Sequence, residues 1–529
     1  MVWKKGWREG AWSDLDQPWD LIIIGGGITG AGVLRQAVQA GLKTLLVEAH
    51  DFGSGTSSRS SKLVHGGLRY LRTAQLKLTL ESVREREYLL KQGRGLVNQL
   101  SFLYARLDGD HMPGWMFGLG LCAYDLMARQ WQHRSYDNYD MRELCPPLTS
   151  PELRGGYRYF DAQTDDARLV LRLIRESVKL GGLALNYARV EKLLLTQEGT
   201  VRGVALRDTS GETDKTVEVK AKVVINATGV WVDELRNELG RPARMRPLRG
   251  SHLIIQQERL PLSRAVTFLH PQDGRPVFAL PWEGVILFGT TDLDHQDNLV
   301  TDPHISAGEV EYLLGGLQAV FPGQELDYPD ITATFAGLRP VVNTGKSDPS
   351  RESREYAVWD ENGLITVAGG KLTTFRLMAR DTLKKARRYL STNSFNHQLP
   401  ALLPHLEDVE ALSFRKYYSP SQQLRLLGRY STDTLAGLSM VDPMKHQSIP
   451  GTPYSWAELG EIAGREAAVH LDDLLLRRLR VGLLIPEGGR DLMGQLGEVI
   501  RPAMGWTETR WDQEAQAYLK LIQSAYQAG

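Results

Sequence analysis

The sequence is poor in cysteine: only Cys122 and Cys145 occur among its 529 residues. Two cysteines cannot build a disulfide framework, which favours a reducing, cytoplasmic compartment over secretion. No stretch approaches the ~18 apolar residues of a membrane-spanning helix, and the first 20 residues lack the apolar core of a secretory signal. We therefore expect neither a secreted disulfide scaffold nor a polytopic membrane protein.

An excess of charge of either sign is also absent, because Lys+Arg and Asp+Glu both number 63. A net charge of zero argues against a nucleic-acid binder, although a local basic pocket is compatible with it. Zinc-ligand spacings, EF-hand loops and internal repeats are missing, so we expect no metal site. The chain is instead long, which predicts more than one core, and it is rich in glycine, with 52 residues.

The segment 20–25 is a short apolar run that ends in glycine and indicates a buried parallel strand. It leads into G-x-G-x-x-G through Gly25, Gly27 and Gly30, then into a helical pattern and a second apolar strand ending at Glu48. The three glycines would turn the chain, admit a pyrophosphate, and let helix and strand pack closely. The helix N-terminus would hold the anion, and Glu48 would accept hydrogen bonds from the ribose. This order of parts predicts a dinucleotide site.

Two later features favour FAD over NAD. The segment 57–67 supplies small side chains and a glycine pair soon after the acid, so that the backbone can touch the cofactor again. The apolar segment 223–229 ends in Ala-Thr-Gly and brings Gly229 near the same nucleotide. Two halves of one nucleotide domain, separated by a long inserted stretch, are typical of flavoproteins rather than of simple NAD enzymes.

The segment 60–70, Ser-Ser-Lys-Leu-Val-His-Gly-Gly-Leu-Arg-Tyr, is long and highly specific. With it, the chain resembles the FAD-dependent, aerobic, quinone-linked glycerol-3-phosphate dehydrogenases. The resemblance runs in family order over about residues 20–380, and the segment 471–480 matches more loosely. The matching segments are 24–32, 56–71, 165–170, 226–229, 249–253, 289–292, 337–340 and 369–374.

The resemblance implies an α/β fold, with a glutathione-reductase-type FAD-binding Rossmann domain, a mixed-sheet substrate domain and a mostly helical C-terminal domain. We expect an N-terminal extension at 1–19, the FAD-dependent oxidoreductase domain at 20–390 and the helical domain at 391–529, with a polar linker starting at 391. The expected FAD-binding parts of 20–390 are about 20–95, 151–240 and 346–390, and the substrate parts are about 96–150 and 241–345.

The resemblance also assigns the FAD contacts. Carried over position by position, they are Gly25, Gly26, Gly27, Ile28, Thr29, Gly30, Glu48, Ser57, Ser58, Lys62, Leu63, His65, Gly66, Gly67, Val190, Ala227, Gly229, Arg339, Gly370, Lys371, Leu372 and Thr373.

Local patterns predict further elements. Alternation over 201–219 predicts a hairpin before the Ala-Thr-Gly strand, and the segments 251–255, 277–280 and 285–288 predict strands of a second sheet. Helical spacing extends over 456–483. It sets the pair Asp472-Asp473 four and five residues before Arg477-Arg478, and only the four-residue separation faces properly on an α-helix.

A phosphorylated polyol carries a dianion at one end and a secondary alcohol at the other, so its site needs fixed cations near the flavin. We predict that Arg69, after the glycine pair, and Arg339, just before Pro340, bind the phosphate. Guanidinium offers bidentate donors and keeps its charge when buried. A lone arginine is more often a surface ion pair, but the resemblance favours a functional interpretation of these two.

Removal of the hydroxyl proton requires a base, and histidine is the usual choice. His252 is the first candidate and His65 the second. The alternatives are that His252 is a satisfied core histidine and that His65 only packs against the flavin or bonds to it.

Lys371 resembles the family lysine near substrate and flavin. It lies at the start of a helix predicted over 375–390, where a cation is locally disfavoured. The helix N-terminus would stabilise the negative charge of the reduced flavin. Tyr70 is a candidate hydrogen-bond donor to substrate, although a packed tyrosine is an equal alternative, and Thr291 and Asp292 are expected to shape the pocket floor.

In the resembled family, electrons pass to a membrane quinone from an enzyme that lies on the bilayer surface. We therefore expect a peripheral location on the cytoplasmic face of the membrane, and a homodimer is compatible with the resemblance. The segment 113–121 and the tryptophan-bearing N-terminus are the candidate contact surfaces, because tryptophan beside cations suits an interface. For 113–121, a buried apolar segment is the alternative.

Two other functions stay open. One is an FAD-dependent amino-acid or hydroxy-acid oxidase of the same fold, with Arg339 on a carboxylate; two cations beside the flavin favour phosphate instead. The other is a non-catalytic flavin-binding regulatory protein, against which the clustering of base and cation candidates argues.

Overall fold

Two β-sheets and a helical C-terminal region make up the part of the chain that the computed structural model describes, residues 3–4, 6–68, 75–110, 113–347, 349, 352–390 and 413–528. The strands are β1 (Trp19–Ile24), β2 (Thr44–Val47), β3 (Leu63–Val64), β4 (Val97–Leu107), β5 (Arg134–Tyr136), β6 (Leu153–Thr164), β7 (Leu183–Leu185), β8 (Ala188–Leu195), β9 (Val201–Asp208), β10 (Thr216–Asn226), β11 (Met245–Gln256), β12 (Ala265–Leu269), β13 (Pro276–Trp282), β14 (Val285–Gly289), β15 (Leu293–Asp294), β16 (Ile331–Val342), β17 (Tyr356–Glu361) and β18 (Leu364–Gly369).

Helices cover both sheets. The α-helices among the described residues are α1 (Trp7–Ser13), α2 (Ile28–Gln39), α3 (Leu76–Gln92), α4 (Gly114–Ala128), α5 (Asn138–Leu144), α6 (Asp166–Lys179), α7 (Val232–Glu238), α8 (Ala307–Val320), α9 (Phe375–Ala386), α10 (Pro420–Arg429), α11 (Thr432–Leu438), α12 (Trp456–Ala463), α13 (Val481–Leu484), α14 (Met493–Met504) and α15 (Glu508–Ala525).

The first sheet has the order β17-β18-β10-β1-β2-β7, and β18, β10, β1, β2 and β7 run parallel. Successive side chains of β1 alternate between two cores. Leu21 and Ile23 pack against α2, α6 and α9, whereas Ile22 and Ile24 face the β8–β9–β10 hairpin layer. A strand buried on both faces explains why its sequence is uniformly apolar. The predicted hairpin over 201–219 is confirmed by the antiparallel pairing of β9 with β10.

The second sheet is mixed and has the order β15-β11-β14-β13-β12-β4-β6-β3, with β16 also paired to β11. The strands predicted at 251–255, 277–280 and 285–288 lie within β11, β13 and β14. The range 151–240, assigned to FAD binding from the sequence, contributes β6 to this second sheet. Together the two sheets and the C-terminal helices confirm the predicted fold class.

The N-terminal segment packs onto the first sheet rather than extending from it. Trp3, Trp12 and Trp19 are buried, and Trp3 stacks on Phe52. Arg8 of α1 donates to the carbonyl of Tyr187 at 3.0 Å and binds the carboxylate of Asp208 at 2.7 Å. The tryptophans expected to mark a membrane contact in this segment therefore belong to the core.

The C-terminal region, from 413 onward, covers one face of the second sheet and shares its core. The prediction of helical structure throughout 456–483 is wrong. α12 ends at Ala463, and a π-helical turn, Asp473–Arg478, follows after a break. The wider turn brings Arg477 to both acids, Asp473 at 2.5 Å and Asp472 at 2.6 Å. Residues five apart therefore also form an ion pair here. The predicted linker at 391–401 lies outside the described residues.

Candidate active site

One large cavity, of about 1540 Å³, lies between the serine-rich segment after β2, the second sheet and the start of α9. Four predicted side chains from separate parts of the sequence line it: His65, His252, Arg339 and Lys371. Backbone from 60–67 and 370–373 forms part of the same wall. The cavity therefore unites segments that the sequence could only connect through resemblance.

The glycine motif lies at the carboxyl end of β1, as expected. Gly25 has φ +110°, and a side chain at Gly30 would overlap the carbonyl oxygen of Gly25, so only glycine lets α2 pack this close to the strand. A Cβ on Gly26 would lie 2.8 Å from the Phe52 ring. This loop consequently presents backbone to whatever binds at the N-terminus of α2.

Acidic and serine side chains fix the loop from both sides. Glu48 accepts hydrogen bonds from the backbone N–H groups of Gly26 at 2.6 Å and His50 at 2.9 Å. Ser57 Oγ accepts from the backbone N–H of Ile28 at 2.9 Å. Ala227 donates its backbone N–H to Ile24 at 2.9 Å, which brings the Ala-Thr-Gly turn and Gly229 to the same strand end. A helix N-terminus, close backbone and an acid at the end of β2 together fit the pyrophosphate and ribose of FAD.

The turn before α9 forms another wall of the cavity. Gly369 and Gly370 both adopt left-handed backbone, with φ near +80°, and Lys371 then begins a 3₁₀ turn that continues into α9. Lys371 Nζ donates to Ser82 Oγ at 2.9 Å. Thr373 Oγ1 accepts from the backbone N–H of His65 at 3.2 Å, which ties this turn to the serine-rich segment.

A buried polar cluster supports the glycine pair beside His65. The backbone N–H of Gly66 donates to Tyr124 Oη at 2.8 Å and to Asp161 Oδ1 at 3.2 Å. Arg86 donates to both of these acceptors, at 2.9 and 2.8 Å. A side chain at Gly66 would overlap Tyr124, so glycine is required for this close approach. No sequence motif indicated this cluster.

His252, on β11, is buried at the wall of the cavity. Its Nε2 lies 2.8 Å from Ser61 Oγ, and its ring stacks on Phe335 with a centroid distance of 4.6 Å. Burial, together with the positive charges of Arg339 and Lys62, holds the pKa of His252 well below its ordinary value. The lowered pKa favours the neutral imidazole, the form that has a lone pair to accept a proton, although the same surroundings make it a weaker base than an ordinary histidine.

Three arginines surround the carboxylate of Asp292 at the polar end of the cavity. Arg339 donates to Oδ1 at 3.0 Å, Arg354 donates to Oδ2 at 2.8 Å, and Arg275 lies 3.8 Å from Oδ2. Asp273 and Glu352 also line the cavity, but three guanidinium groups gathered on one carboxylate make this end the candidate site for an anion. A side chain at Gly250 would overlap the Arg339 guanidinium, which explains the glycine before Ser251.

Arg275 and Arg354 were not predicted from the sequence. Arg275 lies in the turn between β12 and β13, and Arg354 precedes β17, so neither belongs to a recognisable motif. Their function depends on Asp292, which lies between them in space and far from both in the chain. To predict these two arginines from the sequence, one would have to know which residues of the second sheet lie opposite each other.

Other predicted site residues lie apart from the cavity wall. Thr291 is buried and accepts from the backbone N–H of Ser251 at 2.9 Å, while its neighbours Thr290 and Asp292 line the cavity. The Lys62 side chain is buried behind the wall in an ion pair with Asp166. Val190 is half-buried on β8. Arg69 and Tyr70 lie outside the described residues.

Similar proteins share this arrangement of segments. Residues 20–380 match the family described as FAD dependent oxidoreductase. The chain is 34% identical to "Glycerol-3-phosphate dehydrogenase 2" of Mycobacterium tuberculosis over 98% of this chain and 90% of that protein. It is 38% identical to the "Aerobic glycerol-3-phosphate dehydrogenase" of Staphylococcus saprophyticus over 70% of this chain and 68% of that protein.

A solved structure extends the likeness to the whole fold. The glycerol-3-phosphate dehydrogenase of Bacillus halodurans, complexed with FAD, superposes with a TM-score of 0.78 at 26% identity. The match covers 99% of this chain and 98% of that one, so it includes the C-terminal helical region. FAD is accordingly the cofactor, and the cavity and glycine loop described above are the parts that fit it. The chain belongs to the FAD-dependent oxidoreductases and, within them, to the glycerol-3-phosphate dehydrogenase family.

Proposed function

We propose that this protein oxidises sn-glycerol 3-phosphate to dihydroxyacetone phosphate. The observation that carries the proposal is the group of three arginines around Asp292, because it faces the same cavity as His252 and Lys371. A phosphate dianion needs more than one fixed cation, and planar guanidinium groups bind it in a bidentate manner. The names of the similar dehydrogenases support this substrate.

The residues divide the chemistry between them. Arg339, Arg354 and Arg275 hold the phosphate and so orient the carbinol carbon. His252 takes the proton of the secondary hydroxyl, either at Nε2 or through Ser61, which also lines the cavity and whose Oγ lies 2.8 Å from that nitrogen. FAD, when bound, would supply the acceptor for the hydrogen of the same carbon and its electron pair. Lys371 and the start of α9 stabilise the negative charge that this transfer produces.

Anaerobic bleaching of the bound flavin tests the proposal. Glycerol 3-phosphate should bleach the visible band rapidly, whereas glycerol, which lacks the dianion, should bleach it far more slowly at the same concentration. Bleaching by an amino acid or a plain hydroxy acid instead would establish the alternative oxidase. An oxidised spectrum with every substrate would establish the non-catalytic flavoprotein.

We further infer that the electrons pass to a quinone at the cytoplasmic face of the membrane, where this protein lies peripherally. Among the described residues, no helix combines the length and the apolar character needed to cross a bilayer. The exposed side of α4 instead carries large apolar side chains: Trp115 is 67% exposed, Leu126 is 75% exposed, and Trp131, just beyond the helix, is 71% exposed. Exposed tryptophan beside leucine suits the interface of a bilayer.

The inner side of α4 supports the same inference. Phe117, Gly120 and Ala123 line the cavity, so the helix separates the cavity from the exposed apolar face. A quinone dissolved in the bilayer would then be separated from the cavity by this one helix. A homodimer stays a prediction from the resemblance.

A further inference from the structure

Lys62 is a charged residue that the proposed chemistry does not use. It interrupts the cavity wall between Ser61 and Leu63, has left-handed backbone with φ +61°, and turns its side chain into the interior. Its Nζ is fully buried and donates to the carbonyl of Ser58 at 2.6 Å and to the carboxylate of Asp166 at 2.9 Å. A buried ammonium and a left-handed lysine are both costly, so their presence here requires an explanation.

The partner of Lys62 is held by the C-terminal region. Asp166 Oδ2 also accepts from the backbone N–H and the hydroxyl of Ser60, at 3.0 and 2.7 Å. Arg480 donates to Asp166 and to Asp165, both at 2.6 Å. The serine-rich segment is therefore fixed at Ser60 and at Lys62, and the residue between them is Ser61.

Ser61 is the residue that contacts His252. The Phe335 ring also lies between Lys62 and His252. The Lys62 ammonium lies 4.9 Å from the ring centroid, and the imidazole stacks on the same ring. The ammonium thus acts on His252 in two ways, through the backbone that carries Ser61 and through its charge across one aromatic ring.

The groups around His252 come from each element packed against it. Arg339 of β16 is the second cation, and Asp292 pairs with it. Gly289, opposite His252 on β14, has no side chain. Lys62 and Arg339 both lower the pKa of His252, after burial itself, and the pKa of Lys62 is lowered by its own burial to about 8.

We propose that Lys62 is a positioning residue for His252, fixed from behind by Asp166 and by Arg480 of the C-terminal region. It holds Ser61 against the imidazole and keeps the imidazole unprotonated and ready to accept the substrate proton. This inference rests on the proposed function, in which His252 is the proton acceptor.

The test is the pH dependence of anaerobic flavin reduction by glycerol 3-phosphate, measured on FAD-loaded protein. Removing the charge in Lys62→Met should make His252 easier to protonate and move the acid limb upward by about one pH unit. Lys62→Arg keeps the charge and should leave the limb where it is in the unaltered protein. Lys192→Met removes an exposed lysine on β8 and serves as the matched control.

An acid limb that stays in place in Lys62→Met, with FAD bound, overturns the proposal. Lys62→Gln is a second neutral variant, since its amide can still donate to Ser58 or Asp166. If neither neutral variant binds FAD, the protonation of His252 is followed instead in the unaltered protein, by imidazole ¹⁵N spectra recorded over a pH series. The resonance that disappears in His252→Gln should become protonated only well below the ordinary value of about 6.5, and protonation near that value overturns the proposal.

His252→Gln separates this inference from the proposed function. If the acid limb persists in His252→Gln, the proton acceptor lies elsewhere, and both proposals fall. If the limb disappears in His252→Gln but does not move in the neutral Lys62 variants, only the role of Lys62 is overturned.

Discussion

At the scale of single residues, close backbone contacts restrict which residue types the glycine loop can carry. Gly25 and Gly30 are required by a left-handed turn and by overlap with a carbonyl oxygen, both of which follow from the local motif. Arg275 and Arg354 were not predictable, because a guanidinium group becomes part of a site only through neighbours in space. The same holds for the Lys62 side chain, which resemblance assigned to FAD and the structure turns towards Asp166.

Arg354 supplies the residue-scale prediction. Arg354→Met should raise KM for glycerol 3-phosphate by roughly 10- to 100-fold, because a charge-assisted hydrogen bond to phosphate contributes about 1.5–3 kcal/mol. The FAD content should be unchanged, and steady-state kinetics beside the flavin absorbance of the purified protein measure both. Arg207→Met removes an exposed arginine and should alter neither quantity. An unchanged KM in Arg354→Met would exclude this arginine from phosphate binding.

At the scale of elements, periodicity predicted strands well and helix continuity less well. β1, β2, α2 and the hairpin before the Ala-Thr-Gly turn appear where apolar patterns placed them. The pattern over 456–483 failed first at Gly464, the C-cap of α12, and again at the π-helical turn, where Arg477 and Arg478 bind buried carboxylates. Arg478 donates to Asp51 at 2.8 Å, a contact that no local pattern can indicate.

The exposed side of α4 supplies the element-scale prediction. Replacing Trp115, Leu126 and Trp131 by serine should weaken sedimentation with vesicles of mixed zwitterionic and anionic lipid by at least about tenfold, since each large apolar side chain contributes roughly 1.5–3 kcal/mol when buried. Bleaching by glycerol 3-phosphate should persist, because none of the three lines the cavity.

The control for α4 replaces exposed apolar residues elsewhere. Val300 and Met440 are also highly exposed, and their serine variants should sediment like the unaltered protein. Equal sedimentation of the α4 variant and this control would show that α4 does not contact the bilayer.

At the scale of the whole molecule, the C-terminal region is joined to the FAD-binding part by buried ion pairs. Arg480 and Arg429 meet Asp165, at 2.6 and 2.8 Å, and Arg477 meets Asp51. The sequence predicted a helical region after 390, but charged residues such as these do not reveal from sequence whether they face solvent or a partner. The regions on the two sides of the predicted boundary at 391 are therefore joined by buried ion pairs and are not independent of each other.

These ion pairs make the stability of the molecule depend on acid. Burial alone would raise the pKa of Asp165, but Arg480 and Arg429 outweigh it and hold that pKa well below its ordinary value; Arg478 and Arg477 do the same for Asp51. Carboxylates with depressed pKa stabilise the fold above their unfolded value, near 3.9, and lose that contribution as the pH falls.

The melting temperature should therefore fall steeply below about pH 4, where these carboxylates become protonated in the unfolded chain. Asp165→Asn should melt lower at pH 7 and show a shallower acid decline, as followed by thermal denaturation across a pH series. Asp108→Asn breaks an exposed pair with Arg154 and should retain the slope of the unaltered protein. A melting temperature that rises on acidification would contradict this account.

The contact between Arg480 and the pair Asp165 and Asp166 also has a consequence for biosynthesis. Asp166 and the serine-rich segment are translated about 300 residues before the side chain that secures them. A nascent chain must then carry an unfinished wall of the site until the C-terminal region has been made. Completion of this wall consequently waits for synthesis of Arg480.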